Sequence, residues 1–355
     1  MEKRLTAKDI ITSYHGKKLR IMEVCGTHTH EIFRMGIRTL LTESVELISG
    51  PGCPVCVTPA GFIDEAVWLA LEKNVTICSF GDLVRVPGSK LSLAQARAQG
   101  AKVQVVYAPV DAVEYAKAHP EEEVVFLSVG FETTTPSSCI AVQQAVQDGV
   151  SNFALLTANK TMPSAYQALK DSVDVYLYPG HVHAITGTRL LEQMAEEGIS
   201  GVVAGFTANE LMTAIAVAIK KSEEGKPFFA NAYPRVVTRD GSPEAQRLVA
   251  SMMDEIDTEW RGLGVIPRSG LKLNETYAAY DARIKFQIPP MEGRSNPACR
   301  CGEVLQGKVR STDCPLFGKT CTPLHPVGAC MVSNEGACSA YYTYGMGQIV
   351  NGGNE

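Results

Sequence analysis

The chain has 355 residues, 45% of them hydrophobic and 20% charged, with 31 glycines and 19 prolines; this ordinary globular usage excludes disordered, collagenous and coiled-coil chains and, at roughly 100–200 residues per domain, predicts two or three domains. The net charge of −5, from 33 Lys and Arg against 38 Asp and Glu, gives no sequence-wide attraction for a polyanion, so nucleic acid is not an expected partner. Eleven cysteines stand in a chain whose first residues, Met1 to Asp9, lack the apolar stretch of a secretory leader and which has no apolar run long enough for a membrane span, so the expected location is the cytoplasm, where thiols serve metal or redox chemistry rather than a disulfide framework.

From residue 18 to about 230, short β-branched runs alternate with amphipathic segments of helical period. They predict strands at 20–24, 45–49, 75–79, 103–107, 124–129, 154–157, 175–178 and 202–204, and helices at 60–73, 91–99, 111–119, 137–147, 164–170, 184–197 and 208–221. This is the pattern of α/β architecture with parallel sheets covered by helices. The polar stretch His119-Pro120-Glu121-Glu122-Glu123 is a break, giving two doubly wound parallel-sheet domains, 1–119 and 120–235. After 235 the alternation fades; a helix-like segment at 244–259 leads into Gly/Pro-rich text holding six cysteines between 299 and 338. The expectation for 236–355 is a third, small cysteine-rich domain that needs a cross-link or a metal cluster to hold it.

The first strand ends in Cys25-Gly26-Thr27-His28-Thr29-His30. Strand ends on this edge of an open α/β sheet carry active sites, and backbone N–H groups opening the next helix depress a thiol's pKa, so Cys25 is placed for chemistry. His28 is a candidate ligand, acid/base group or supporting partner, with a turn or cap histidine as the equal alternative; His30 reads as structural. The second strand ends in Gly50-Pro51-Gly52-Cys53-Pro54-Val55-Cys56, a C-x-x-C pair on a fixed turn, suited to a disulfide or a shared metal. Cys78 and Cys139 are isolated in sequence and read as buried packing thiols. Gly130-Phe131-Glu132-Thr133-Thr134-Thr135-Pro136 opens a helix with hydroxyls and N–H groups that suit an anion or a partner's tail, or simply cap the helix. His181, in Tyr178-Pro179-Gly180-His181, is a further polar group at a strand end.

The carboxy-terminal cysteines are Cys299, Cys301, Cys314, Cys321, Cys330 and Cys338. The spacing lacks paired zinc knuckles and favours an iron–sulfur cluster over zinc. Six sulfurs exceed four ligands, and a cluster beside a spare thiol pair can pass single electrons into a two-electron disulfide; spacing does not say which two are spare. No P-loop, dinucleotide fingerprint, G-x-S-x-G or H-E-x-x-H occurs, which removes support for nucleotide hydrolysis and simple hydrolases.

These motifs, together with Pro297-Ala298-Cys299-Arg300-Cys301-Gly302 and Cys314-Pro315-Leu316-Phe317-Gly318-Lys319, resemble the HypD family, the scaffold proteins of [NiFe]-hydrogenase maturation, along essentially the whole chain. The resemblance implies two α/β domains plus a [4Fe–4S] domain. It also implies a complex with the small chaperone HypC that holds the iron on which Fe(CN)₂CO is built, and cyanide delivery from a thiocyanate on HypE. By the same resemblance Cys25 is an iron ligand with His28 nearby, and Cys53 and Cys56 are a cleft dithiol. By analogy with ferredoxin:thioredoxin reductase, Cys299, Cys314, Cys321 and Cys338 hold the cluster and Cys301 pairs with Cys330; the alternative cluster set is Cys314, Cys321, Cys330 and Cys338. Such a chain is a redox-active assembly scaffold rather than a conventional turnover enzyme. The rival expectations are a free-standing iron–sulfur protein-disulfide oxidoreductase and a simple iron metallochaperone.

Overall fold

A computed structural model describes residues 5–345, so the last ten residues of the expected third domain and the first four of the chain lie outside the described residues. The architecture is α/β with two parallel sheets. Strands β1 (Leu19–Glu23), β2 (Val45–Ser49), β7 (Val175–Pro179), β8 (Gly201–Ala204) and β9 (Phe229–Asn231) form one in the order β2-β1-β7-β8-β9, and β3 (Thr76–Ser79), β4 (Val103–Val105), β5 (Val124–Ser128) and β6 (Phe153–Thr157) form the other in the order β4-β3-β5-β6. All eight expected strands are present. β9 is an addition, a short, half-buried edge strand.

Both sheets are buried on both faces, which is why their strands read as continuous apolar runs. In β5 and β6, Val125, Leu127, Ala154 and Leu156 point to one core while Val124, Phe126, Phe153 and Leu155 point to the other, the period of two that a strand imposes. In the five-stranded sheet, Ile21, Val175 and Leu177 face the helix Ala208–Ser222, whereas Met22, Val24, Tyr176 and Tyr178 face a core shared with the cysteine-rich region. That second core holds the candidate cysteines Cys53, Cys56, Cys301, Cys321, Cys330 and Cys338.

The expected break at residues 119–120 falls between β4 and β5, inside the four-stranded sheet. The chain leaves the first sheet after β2, builds the whole second sheet, and returns at β7, which pairs with β1 through Ile21↔Val175 to Glu23↔Leu177. Hydrophobic periodicity reports that a strand exists but not which strand it lies beside.

Two helix expectations change. The segment 184–197 is two helices, Gly180–Thr186 and Arg189–Glu196, separated at Gly187. The helix-like 244–259 is a helix only over Pro243–Met252; it then becomes β10 (Met253–Trp260), which forms an antiparallel hairpin with β11 (Gly264–Leu273). The hairpin is tied to the GFETTT segment: Lys160 donates its backbone N–H to the Gly130 carbonyl (2.9 Å) and its ammonium to the Glu259 carbonyl (2.6 Å), and Phe131 stacks on Trp260 at 5.8 Å. No helix among the described residues is long and apolar enough to cross a membrane.

Candidate functional site

Cys25 caps the helix Gly26–Arg34 in an extended conformation, at the carboxyl end of β1. Its loop lies directly on the loop after β2. Gly26 N–H donates to the Gly52 carbonyl at 3.0 Å, and a Cβ on Gly52 would stand 2.0 Å from the Cys25 nitrogen; only glycine permits backbones this close. Below them the buried Glu23 carboxylate accepts from Thr29 (2.8 Å), Ser49 (2.9 Å) and the Arg38 guanidinium, fixing β1, β2 and the helix together. Above, Glu335 from the cysteine-rich region accepts from the Thr27 hydroxyl at 2.7 Å.

The expected depression of the Cys25 pKa is not found. Burial outweighs the N–H groups of His28 and Thr27, with Glu335 adding to it, and the thiol is pushed up to about 12. A thiol so buried stays protonated until a cation arrives to take the thiolate. His28 is wholly buried; burial, then the neighbouring His181, lowers it to about 3, so it is neutral. Neither of its ring nitrogens has a hydrogen-bond partner, and the ring lies 4.9 Å from Phe206, which also neighbours His181 at 5.2 Å and Tyr233 at 6.2 Å. His30 has a structural place, with Nδ1 3.2 Å from the Asn334 carbonyl.

Cys53 and Cys56 flank the start of the short helix Pro54–Val57 and are both buried. From them a row of thiols runs into the cysteine-rich region. Cys56 has Cys53 on one side and Cys330 on the other as electrostatic neighbours, and its sulfur lies 3.9 Å from the carbonyl of Ala329, next to Cys330; Cys330 neighbours Cys301 in turn, which neighbours Cys338 and meets Cys299 at 3.2 Å between sulfurs. At Cys56 the influence of Cys330 lowers the pKa, but that of Cys53 and burial prevail and raise it. The sulfur of Cys299 is likewise raised, by its bond to Cys301 and then by burial. Gly328 makes room for the pair: a Cβ there would stand 2.5 Å from the Cys301 sulfur and 2.6 Å from that of Cys299.

Beyond Cys301 the sulfurs of Cys299, Cys301, Cys314, Cys321 and Cys338 surround a small space closed by Leu316, Phe317 and Met331. Cys330 is outside it, on the side of Cys56. Soft thiolates in an apolar shell suit an iron–sulfur cluster, and this donor set fits one. The buried cysteines Cys78 and Cys139 pack in the core on the far face of the four-stranded sheet.

Several residues were invisible to sequence reasoning. Arg261, at the turn of the β10–β11 hairpin, is buried and donates to the carbonyls of Thr58 (2.6 Å) and Pro87 (3.0 Å), with Cys301, Cys330, Cys299 and Cys56 as its electrostatic neighbours. Tyr166, Tyr178 and His183 line the same core. Two of the three hydroxyls of the GFETTT segment, expected to meet an anion or a partner, are turned inward: those of Thr134 and Thr135 donate to the Phe131 carbonyl, and Thr135 also accepts from Asn159. Only Glu132 keeps an unpartnered atom, Oε2, while Oε1 accepts from the Met162 N–H at 2.8 Å.

Comparison with known proteins gives the family. A family model named HypD and described as "Hydrogenase formation hypA family" matches residues 3–345. The hydrogenase maturation factor HypD2 of Bradyrhizobium diazoefficiens is 43% identical over 342 residues, covering 93% of this chain and 90% of that relative. The hydrogenase maturation factor HypD of Cupriavidus necator is 42% identical over 343 residues, with coverage of 93% and 90%; that of Escherichia coli is 44% identical over 334 residues, with coverage of 92% and 90%. A chain matched along nearly its whole length by this model and by relatives this similar belongs to the HypD family of hydrogenase maturation factors.

Proposed function

We infer that this chain is a cytoplasmic assembly scaffold on which the Fe(CN)₂CO group of a [NiFe]-hydrogenase is built. Cys25 holds the iron together with a cysteine of HypC, and HypE delivers cyanide as a thiocyanate. The observation that carries the reading is the row Cys53, Cys56, Cys330, Cys301, Cys299, which joins the loop beside Cys25 to the cysteine-lined space. Its arrangement supports Cys299, Cys314, Cys321 and Cys338 as the ligands of a [4Fe–4S] cluster in a cysteine-rich domain, and Cys301 with Cys330 as the adjoining pair; the position of Cys330 outside that space disfavours the alternative set.

Freeing cyanide from a thiocyanate breaks an S–C bond and consumes two electrons, leaving a thiol on the donor and releasing cyanide. Cys53 and Cys56 supply both electrons by closing a disulfide, and their two protons go to the departing thiol and to cyanide. The Cys53–Cys56 disulfide is reduced back by the thiols of Cys301 and Cys330, which close a disulfide in turn, because Cys330 lies beside Cys56. When bound, a [4Fe–4S] cluster supplies single-electron reduction at the far end of the row. Burial of Cys53 and Cys56 argues against a general protein-disulfide oxidoreductase, whose attacking thiol must reach a partner's disulfide.

Infrared spectroscopy of the anaerobically purified complex tests the reading. Cyanide and carbonyl stretches are expected in the wild type and absent in Cys25→Ala. Bands that persist in that variant refute the ligand role of Cys25, and a wild type without bands but with disulfide-exchange activity refutes the scaffold.

A further inference from the structure

Buried polar atoms without partners are uncommon in folded proteins, and a group of them at one place marks a site built for something else. Among the described residues, eight buried side-chain polar atoms have no hydrogen-bond partner; two are on His28, and four more are Glu132 Oε2, the hydroxyls of Tyr166 and Tyr178, and His183 Nε2. These last four groups share one corner of the core between the sheets. The rings of Tyr166 and Tyr178 are 4.9 Å apart, Tyr178 and His183 5.5 Å, and Tyr166 and His183 6.5 Å. Glu132 grips the Met162 N–H, and the Met162 carbonyl accepts from Tyr166 one helical turn on, so carboxyl and phenol belong to the same turn.

The corner adjoins Cys25. Tyr178 follows Leu177, whose carbonyl accepts from Val24 at 3.3 Å, and the electrostatic neighbours of the Tyr166 hydroxyl include Glu132, Tyr178 and Cys25. By contrast Tyr176, in the same aromatic cluster, is satisfied: its hydroxyl donates to the Tyr166 carbonyl at 2.8 Å. Within this aromatic cluster the unmet hydroxyls are therefore those of Tyr166 and Tyr178, not that of Tyr176.

We propose that Tyr166, Tyr178, Glu132 and His183 form a subsite beside Cys25 that receives the nitrogen end of a C≡N group. The chemistry of the four selects this ligand class. Two phenols offer O–H donors, and no lysine or arginine hydrogen-bonds to any of the four among the described residues, so a phosphate or a carboxylate would be buried without a counter-charge. A pseudohalide is a small linear acceptor whose single charge is weakly hydrated or already neutralised by a metal. His183 Nδ1 faces the Thr186 hydroxyl at 3.0 Å and the Gly187 carbonyl at 3.3 Å, which leaves Nε2 as the ring atom that can bond a phenol or the carboxyl in the corner and orient it. The identity of the ligand rests on the scaffold reading; thiocyanate on the incoming donor and cyanide on the iron present the same nitrogen.

Thiocyanate alone is the probe, added to the full chain purified without oxygen or added iron, with its C≡N stretch followed by infrared. Wild-type protein is expected to give a bound band distinct from the free ion. Tyr166→Phe and Tyr178→Phe, which keep the packing, should each weaken binding about tenfold, as expected for one lost hydrogen bond to an anion, and Tyr176→Phe should leave it unchanged. On the iron-loaded complex the same two variants should shift the cyanide stretches without abolishing them. No bound thiocyanate in the wild type, as when only water fills the corner, or equal binding in wild type and both variants, overturns the subsite. If the wild-type complex carries cyanide bands that neither variant moves, the subsite falls while the scaffold stands; hydroxyl-dependent thiocyanate binding with no iron–cyanide bands in any sample leaves the subsite and removes the scaffold.

Discussion

Replacing Arg261 by Met removes a buried cation that fastens three segments around the row of thiols. Its guanidinium bonds to the carbonyls of Thr58 and Pro87, and its own N–H donates to the Val57 carbonyl at 2.8 Å, so the hairpin turn is locked to the helix that carries Cys56. Two hydrogen bonds from a charged donor contribute about 1.5–3 kcal/mol each. The guanidinium is held in a site whose burial lowers its pKa, so removing it also relieves a desolvation cost that offsets part of the loss. The net destabilisation is then about 2–4 kcal/mol. Chemical denaturation of the reduced protein, with the midpoint and the slope fitted separately, measures it; Arg261→Lys, which can reach one carbonyl but not both, should fall between the two. A shift below about 0.5 kcal/mol, the scale of an ordinary surface substitution, would refute the view that this residue clamps the site.

Three further outcomes follow from the same structure. Gly328→Ala forces the sulfurs of Cys299 and Cys301 apart, so the variant should fold by circular dichroism yet retain much less iron after anoxic purification; unchanged iron content contradicts the close packing. Cys78→Ala and Cys139→Ala should leave iron content intact and cost about 1–2 kcal/mol each as small core cavities, which denaturation reads directly. His28 and His183 are lowered to about 3 and His181 to about 4, all mainly by burial. A depressed group stabilises the fold above its unfolded pKa, near 6.5 for histidine, and that stability is lost as pH falls. Unfolding should therefore take up as many as three protons, with stability dropping by up to about 4 kcal/mol per pH unit between about pH 6 and 4; a flat profile there means that these rings are solvated.

Much of this was legible in the sequence because the signals are local. Eight strands announced themselves through β-branched runs bounded by turns, and the cysteine loops sit where strand ends expose them. The β10–β11 hairpin escaped because Met253-Asp254-Glu255-Ile256-Asp257-Thr258-Glu259-Trp260 is rich in acidic residues that favour other structure, and it forms a strand only because β11 supplies a partner. Division of the strands between two sheets escaped for the same reason: pairing is long-range. In the site, spacing identified thiols but could not say that Cys330 meets Cys56 across 274 residues of chain. Tyr166, Tyr178 and Arg261 carried no signal, being ordinary core or turn residues until the fold brings them to the sulfurs. His183 stands two residues beyond His181, and in the GFETTT segment the sequence pointed to hydroxyls and N–H groups rather than to the Glu132 carboxyl.

The central claim is that the carboxy-terminal sulfurs are divided between holding a cluster and relaying electrons to the loop beside Cys25. Mössbauer spectroscopy of strictly anoxic protein, run on the six single Cys→Ser variants of that region, tests it most directly. The account predicts a cubane signal that survives at Cys301 and Cys330 but collapses at Cys299, Cys314, Cys321 and Cys338. A signal lost with Cys330 and retained without Cys299, or no cubane in the wild type at all, would contradict it.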